Sequence, residues 1–528
     1  MTTQVSLPFG WSSNKWLLIF ANVFAGIILI ILSHTSVLPL ESVNFVFFSF
    51  VGLLFALYRP GWTFLLLVGM LPYEIINIAP GNLPLTLRPY QFILILLTSA
   101  LIIRYAFKRF PVEKFVLSRW DISVLVFGGS AFLSAIMSGE HPSSSLKLSV
   151  ILLSFVLLYF ITRVFVRTDE DAQMLLPFVF SSFFVVALYA IIQNMLFLNG
   201  SESFEVMAGR PNSTFAEADW LGGYLVSVIV LLSGLIASEK NLSRIFRSLF
   251  SVFLFFGFVA LIITVSRSAW LAAFFGIVTV LLIFAWQKEV WRALIEKNRV
   301  VLMEMLQTKL LILTPFLLAL FLVYFSGLSP FDLLDRSKST ATGEQKITVA
   351  CDQDSSLPVL PEKIESLDQL SLSHCRHILL EEVSTEVAAG RFVSTVYRDD
   401  PNVHIRSDIY AKVMNILKKH PISGVGFGNI SPLLGTDERG AGLNASNIFL
   451  EIWLGAGIAG LVAFVFFWFG LGMRWLYESI KEYSPIATIF ASLFVTLTLF
   501  NLFNAGLFLG FFFFCMALFS ITHQDKHN

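Results

Sequence analysis

Charged residues are scarce in this sequence. Asp, Glu, Lys and Arg make up 14% of its 528 residues, and hydrophobic residues make up 56%. A soluble domain carries roughly 25% charged residues. This deficit, with many apolar runs of membrane-spanning length, excludes an ordinary soluble domain and predicts a polytopic membrane protein. The formal net charge is zero, so nothing indicates a nucleic-acid partner.

Other absences narrow the chemistry. The sequence has no Walker-type phosphate loop, which argues against ATP as an energy source. His374 and His377 have helical spacing but lie in a polar segment, where they are interpreted as solvated rather than as metal ligands. We therefore predict no metal and no cofactor. Of the three cysteines, Cys351 and Cys375 share that polar segment and could pair in an oxidising compartment, whereas Cys515 is interpreted as a packing residue.

The apolar runs predict an all-α bundle of about fourteen membrane helices, with twelve as the alternative. Spans of this kind must satisfy every backbone polar group internally, which an α-helix does. The predicted spans are 16–33, 43–58, 61–77, 88–106, 121–138, 146–166, 173–197, 219–237, 247–265, 268–286, 309–327, 445–471, 484–502 and 505–522.

The distribution of Lys and Arg predicts the orientation. With the N-terminus inside, 20 of the 36 basic residues fall on the cytoplasmic side. The short loops on the other side hold only Arg88, Lys147, Arg210 and Arg267, and the remaining 12 lie in the long segment 328–444. Because short cytoplasmic loops are enriched in basic residues, we expect both termini inside and segment 328–444 outside.

The chain then divides into four parts. Residues 1–119 form N-terminal transmembrane helices, and residues 120–327 form a core with two arginine-bearing outer loops. Residues 328–444 form one large outer loop before the last three spans, with a polar insert at 334–400 and an amphipathic helix at 405–420. Residues 445–528 form the C-terminal helices. The helix is predicted from apolar residues at spacings of three and four within IRSDIYAKVMNILKKH.

Arg267 interrupts the apolar stretch LIITVSRSAWLAA at the outer turn between two spans. A helix that begins at this turn directs unpaired backbone N–H groups to the same point. An arginine beside a helix N-terminus is well suited to hold a phosphate. The alternative is an interface anchor that reaches water or caps a loop carbonyl.

Arg210 is the only basic residue in GRPNSTFAEADWLGGYL, residues 209–225. Two lone arginines on separate outer loops suggest one anionic ligand held from two sides. The alternative for Arg210 is an internal salt bridge to Glu217 or Asp219, which follow at the mouth of the next span.

A third candidate site runs from HPISGVGFGN (420–429) into NASNIFLEIWLGAGIAGL (444–461). Gly424, Gly426 and Gly428 allow close backbone approach. His420 could act as an acid or base near neutral pH, or could cap the end of a helix. Glu451 lies about one turn inside the span, where a carboxyl group must be paired or protonated.

These three stretches, in this order, resemble the O-antigen ligase and O-antigen polymerase superfamily. The carrying motifs are GRPNSTFAEADWLGGYL, TVSRSAWLAAFFG (264–276), HPISGVGFGN and ASNIFLEIWLGAGIAGL, and WDISVLVFGGSAFLSAIMSG (120–139) is similar to a family span. The resemblance covers roughly residues 120–480.

The resemblance implies a metal-independent glycosyltransferase of the bacterial cytoplasmic membrane. It would transfer a glycan from undecaprenyl or another polyprenyl diphosphate to an acceptor hydroxyl outside the membrane, as a ligase or as a surface-polysaccharide polymerase. Arg210 and Arg267 match family arginines that bind the diphosphate. Its partners would be a lipid-linked oligosaccharide donor and a glycan or lipid acceptor, such as a lipopolysaccharide core.

One departure leaves the proton acceptor open. Family ligases carry a His-Asn pair after the large loop, where this chain has Ser446 and Asn447. His420, Glu217, Asp219 and Glu451 are therefore the candidate catalytic residues. Two other interpretations remain: a lipid-linked glycan transporter or flippase, and a non-catalytic member of the fold.

Overall fold

The computed structural model describes residues 15–35, 37–83, 86–109, 116–138, 141–238, 244–331, 333, 343–352, 361–399, 401–436 and 440–521. Among these residues are nineteen α-helices, four strands and two short 3-10 segments at Leu380–Glu382 and Gly506–Phe508. The helices are α1 Lys15–Ser33, α2 Ser42–Tyr58, α3 Pro60–Met70, α4 Pro89–Ala106, α5 Arg119–Met137, α6 Pro142–Phe165, α7 Asp169–Leu198, α8 Ala218–Ser238, α9 Arg244–Ile263, α10 Arg267–Gln287, α11 Val290–Ile295, α12 Arg299–Phe325, α13 Asp368–Leu372, α14 Val383–Ala388, α15 Pro401–Lys419, α16 Phe427–Leu434, α17 Ile448–Lys481, α18 Pro485–Asn501 and α19 Gly510–Phe519.

Each of the fourteen predicted spans corresponds to an apolar helix. Ten are long and apolar enough to cross a membrane, and α2, α3, α18 and α19 are apolar but shorter. The prediction of an all-α, multi-pass membrane bundle is confirmed. The third span ends earlier than predicted: α3 stops at Met70, although apolar residues continue beyond it, because Pro72 cannot donate the backbone hydrogen bond that continues a helix.

Irregular backbone interrupts the helices within the bundle. Segment 71–88 follows α3, segment 502–509 separates α18 from α19, and α17 breaks at Gly457, whose φ is +68°. The loop before α16 fits into this break: Ile458 N donates to Ile422 O at 3.1 Å, and Val425 N donates to Leu454 O at 2.7 Å. Irregular backbone is tolerated at membrane depth where protein buries it or where it lines a cavity.

The three glycines predicted for this loop sit against neighbouring backbone and side chains. A Cβ atom would lie 2.4 Å from Leu454 O if added to Gly424, and 2.8 Å from Ser145 Oγ if added to Gly426. At Gly428 it would lie 2.3 Å from Ser145 N. The glycines thus allow the loop to pack against α17 and against the start of α6.

The described part of the insert, 343–352 and 361–399, carries a small sheet that the sequence patterns did not predict. Its strands are β1 Glu344–Cys351, β2 Lys363–Ile364, β3 Cys375–His377 and β4 Phe392–Asp399, in the order β2-β4-β1-β3. β1 is antiparallel to β3 and β4, and β2 is parallel to β4. A disulfide joins Cys351 and Cys375 at paired positions of β1 and β3.

The stability of the insert is expected to fall in acid. Glu386 on α14 accepts hydrogen bonds from Arg391 Nη1 at 2.6 Å and Arg376 Nη2 at 2.5 Å. The hydrogen bond from Arg391, and then that from Arg376, lowers the pKa of the Glu386 carboxyl below its ordinary 4.5. A depressed folded-state pKa stabilises the fold above pH 4.5 and loses that contribution as the pH falls through the folded-state value.

Hydrogen exchange of β1 and β4, corrected for intrinsic rates between pH 7 and pH 3, measures this effect. We expect protection to fall on acidification, and to fall less in Glu386→Gln, which starts from lower protection at pH 7. Equal pH dependence in both proteins would contradict the prediction.

Candidate functional site

Arg210 contacts two other segments of the bundle through its guanidinium group. Nε donates to Thr264 O and Nη2 to Asp219 Oδ2, each at 3.2 Å. Gly209, with φ +72°, allows the loop to turn close to Pro330, since a Cβ there would lie 2.6 Å from the proline ring. The Arg210 side chain is 13% exposed and that of Asp219 is 32% exposed. Of the two carboxylates that the sequence left open as ion-pair partners, the structure therefore pairs Arg210 with Asp219.

Asp219 connects the two arginine-bearing segments. Its Oδ1 accepts a hydrogen bond from Ser266 Oγ at 2.6 Å, while its Oδ2 contacts Arg210. Ser266 is the N-cap residue of α10, and Arg267 is the first residue of that helix. Arg210 and Arg267 are thus brought to one end of the bundle, beside the N-terminus of α10.

The turn before α10 is held from both sides. Val265 adopts a positive φ of +54°, which is uncommon for a β-branched residue. Trp270 Nε1 donates to Leu261 O at 3.0 Å across the turn. The geometry that places Arg267 at the helix start is therefore fixed by contacts on its own chain segment as well as by Asp219.

Segment 502–504 also contacts the start of α10. Asn504 Nδ2 donates to Ser268 Oγ at 2.8 Å, and Asn447 Nδ2 donates to Leu502 O at 3.2 Å. Asn447 also caps α17, since its Oδ1 accepts from Phe449 N and Leu450 N. Segment 502–504 therefore links the start of α17 to the start of α10. Ser446, with φ +50°, lies one residue before the cap.

The candidate bases lie in different surroundings. Glu217 is exposed just before α8, two residues before Asp219. Glu451 is buried, and its Oε2 accepts from Ala445 N at 2.8 Å, so it fixes the loop before α17. His420 is exposed at the end of α15, beside Pro421, whose carbonyl accepts from Trp453 Nε1 at 2.9 Å. Among the described contacts, nothing ties the His420 side chain to Arg210 or Arg267.

The sequence patterns did not predict a buried ion pair between Glu74 and Arg88. Arg88 Nη1 lies 2.6 Å from Glu74 Oε2, and Tyr90 OH donates to the same carboxylate at 3.1 Å. Glu74 Oε1 accepts from Gly510 N at 2.7 Å, and Thr214 O accepts from Glu74 N at 2.9 Å. This cluster joins segments 71–88, 211–215 and 506–510. The lone outer Arg88 was the only signal for it in the sequence.

Arg406 is a further cation that the sequence patterns did not select. It lies on α15, with its guanidinium carbon 5.7 Å from the centre of the Phe503 ring. Phe503 immediately precedes Asn504, which contacts Ser268. The only signal for Arg406 in the sequence was an arginine in a segment whose apolar residues recur at helical spacing. Such an arginine is equally consistent with the polar face of the helix.

The comparisons with known proteins point to one family. The family model described as O-antigen ligase matches residues 250–465, a range that holds Arg267, Arg406 and Asn447. Arg210 and Asp219 lie outside this range but contact Thr264 and Ser266 within it. No curated protein matches the chain.

Proposed function

We propose that this chain, a member of the O-antigen ligase superfamily, transfers a glycan from a polyprenyl diphosphate to an acceptor hydroxyl. The transfer would occur at the outer face of the bacterial cytoplasmic membrane, as a ligase or as a surface-polysaccharide polymerase. The observation that carries the proposal is the network of Arg210, Asp219 and Ser266 beside the N-terminus of α10.

The reaction needs charge stabilisation on the leaving group. The acceptor oxygen forms a bond to the anomeric carbon of the sugar, the bond from that carbon to the diphosphate breaks, and the electron pair leaves on the diphosphate. Arginine holds phosphate oxygens through paired N–H donors. The N–H groups at the start of α10 add partial positive charge. Groups fixed in advance around developing charge lower the barrier most.

The acceptor proton passes to a base, and the carboxylates at the mouth of α8 are the best placed. Asp219 contacts Arg210 directly, and Glu217 precedes it by two residues. Glu451 is buried, and its Oε2 accepts from Ala445 N in the loop before α17. His420 lies at the end of a different helix and is exposed.

His420→Ala is therefore expected to keep the transfer rate within about threefold of wild type. Glu217→Gln or Asp219→Asn, which preserve side-chain shape, should lower the rate by about 10²–10⁴-fold if that carboxylate is the base. Initial rates with purified variants measure both effects. A His420→Ala loss as large as that of the carboxylate variants would assign the proton to the histidine.

The proposal is tested with purified protein in lipid nanodiscs, a polyprenyl-diphosphate glycan and candidate acceptors. Release of the lipid diphosphate together with a new glycosidic bond would support it. A glycan joined to a lipid A-core acceptor would identify a ligase, and a longer lipid-linked glycan would identify a polymerase. Movement of the lipid-linked glycan between vesicle leaflets without bond formation would favour the transporter.

A further inference from the structure

A cavity of about 250 Å³ lies behind the loop that carries Arg210. One wall is formed by His34, Tyr189 and Phe204, and the other by segments 75–77 and 212–214. Drug-sized ligands occupy pockets of about 300–1,000 Å³, so this cavity suits a single ring. The mechanism described above does not use it.

The first wall is an exposed aromatic platform. The rings of His34 and Phe204 are stacked, with centroids 4.0 Å apart at 28°. His34 Nε2 is hydrogen-bonded to Tyr189 OH, which fixes the imidazole from its edge. Phe204 is 40% exposed and adopts a positive φ of +57°. A bulky residue in this region is a strained outlier, and such strain concentrates at ligand sites.

The second wall carries two fixed amides. Asn212 Oδ1 accepts from Val206 N at 3.0 Å, and its Nδ2 donates to Phe215 O. Asn77 Oδ1 accepts from Leu87 N at 2.8 Å, and its Nδ2 donates to Ala79 O at 3.4 Å. An amide nitrogen has two N–H donors, and these contacts use one on each residue. Each amide nitrogen therefore keeps a second N–H donor, and both side chains line the cavity.

We propose that this cavity binds one sugar ring of a substrate glycan, an assignment that rests on the proposed function. A pyranose presents a C–H face that packs on aromatic rings and hydroxyl oxygens that accept from amide N–H groups, which matches the two walls. The cavity also adjoins the anion site. Asn212 is two residues from Arg210, so their Cα atoms are at most about 7 Å apart, the distance of one ring from a diphosphate.

The test compares Phe204→Ala, Phe204→Tyr and His34→Gln with wild type. Phe392→Ala is the matched control, because Phe392 is an exposed phenyl group on β4, 58% exposed, in the insert. The probe is the free oligosaccharide released by mild acid from the lipid-linked glycan, and binding is followed by saturation-transfer NMR. Transfer kinetics are then measured at varied donor and acceptor concentrations.

We expect the ring-proton transfer signals to be lost in Phe204→Ala, weakened in His34→Gln and kept in Phe204→Tyr and Phe392→Ala. KM should rise about tenfold in Phe204→Ala with kcat little changed. A rise in donor KM assigns the cavity to the transferred glycan, and a rise in acceptor KM assigns it to the acceptor.

Unchanged oligosaccharide signals in Phe204→Ala would overturn the inference, as would an unchanged KM for both substrates. His34→Gln provides the same test if Phe204→Ala does not fold. Because oligosaccharide binding is measured without transfer, wild-type protein that binds the sugar but releases no lipid diphosphate would defeat the proposed function and leave the cavity assignment standing.

Discussion

Replacing Arg267 with alanine is expected to lower glycan transfer by about 10²–10³-fold, the loss typical of removing one fixed donor from developing negative charge. Arg267 is the first residue of α10, so it lies at the N-terminus of that helix. Arg210→Ala should cause a similar loss. Because both arginines are proposed to hold the same diphosphate, the double variant should lose less than the product of the two single losses.

Three controls separate this effect from misfolding. Arg267→Lys keeps the charge but not the paired donors, so it should recover part of the rate. Arg292→Ala removes an arginine with a 67% exposed side chain on α11, about 30 Å along α10 from Arg267, and should leave the rate unchanged. Immunoblots of membranes check protein amount. Normal product from both Arg210→Ala and Arg267→Ala would refute the assignment.

Breaking the Glu74–Arg88 pair is expected to have the largest effect on stability. The Glu74 side chain is 1% exposed and that of Arg88 is 22% exposed. Removing one partner of a buried pair leaves an uncompensated charge and costs about 3–5 kcal/mol. Glu74→Leu should therefore lower the melting temperature in detergent markedly.

The double variant Glu74→Leu, Arg88→Met removes both charges and should recover much of the loss. Glu289→Leu, which breaks the exposed pair with Arg292, is the matched control and should cost about 1 kcal/mol or less. A double variant no more stable than Glu74→Leu would show that the hydrogen bond to Gly510 N, rather than the charge pair, holds these segments together.

The sequence predicted the helical bundle because each span must carry its own apolar run. It predicted the position of Arg267 for a related reason: a helix that starts at Ser266 or Ser268 is evident from the polar break in TVSRSAWL. The end of α3 was placed seven residues too late, at 77 rather than Met70. Hydropathy reflects burial, and most of segment 71–78 is buried without being helical.

Contacts between distant segments were beyond sequence reasoning. Glu74 meets Gly510 across 436 positions, and no local pattern encodes such a pairing. The choice of Asp219 over Glu217 as the partner of Arg210 depends on where the first turn of α8 begins. The insert's sheet was missed because β2 and β3 are two and three residues long, too short to give an alternating pattern.

The contacts of Asp219 also limit how this protein can be engineered. The matched segment 250–465 supplies Ser266 and Arg267, while Arg210 and Asp219 come from the chain before it. A chimera that transplants only the matched segment would keep Ser266 and Arg267 but would replace the loop that carries Arg210 and Asp219 with an unrelated loop of the host. The network therefore cannot be transferred with the matched segment alone, and a graft that keeps it must begin upstream of Gly209.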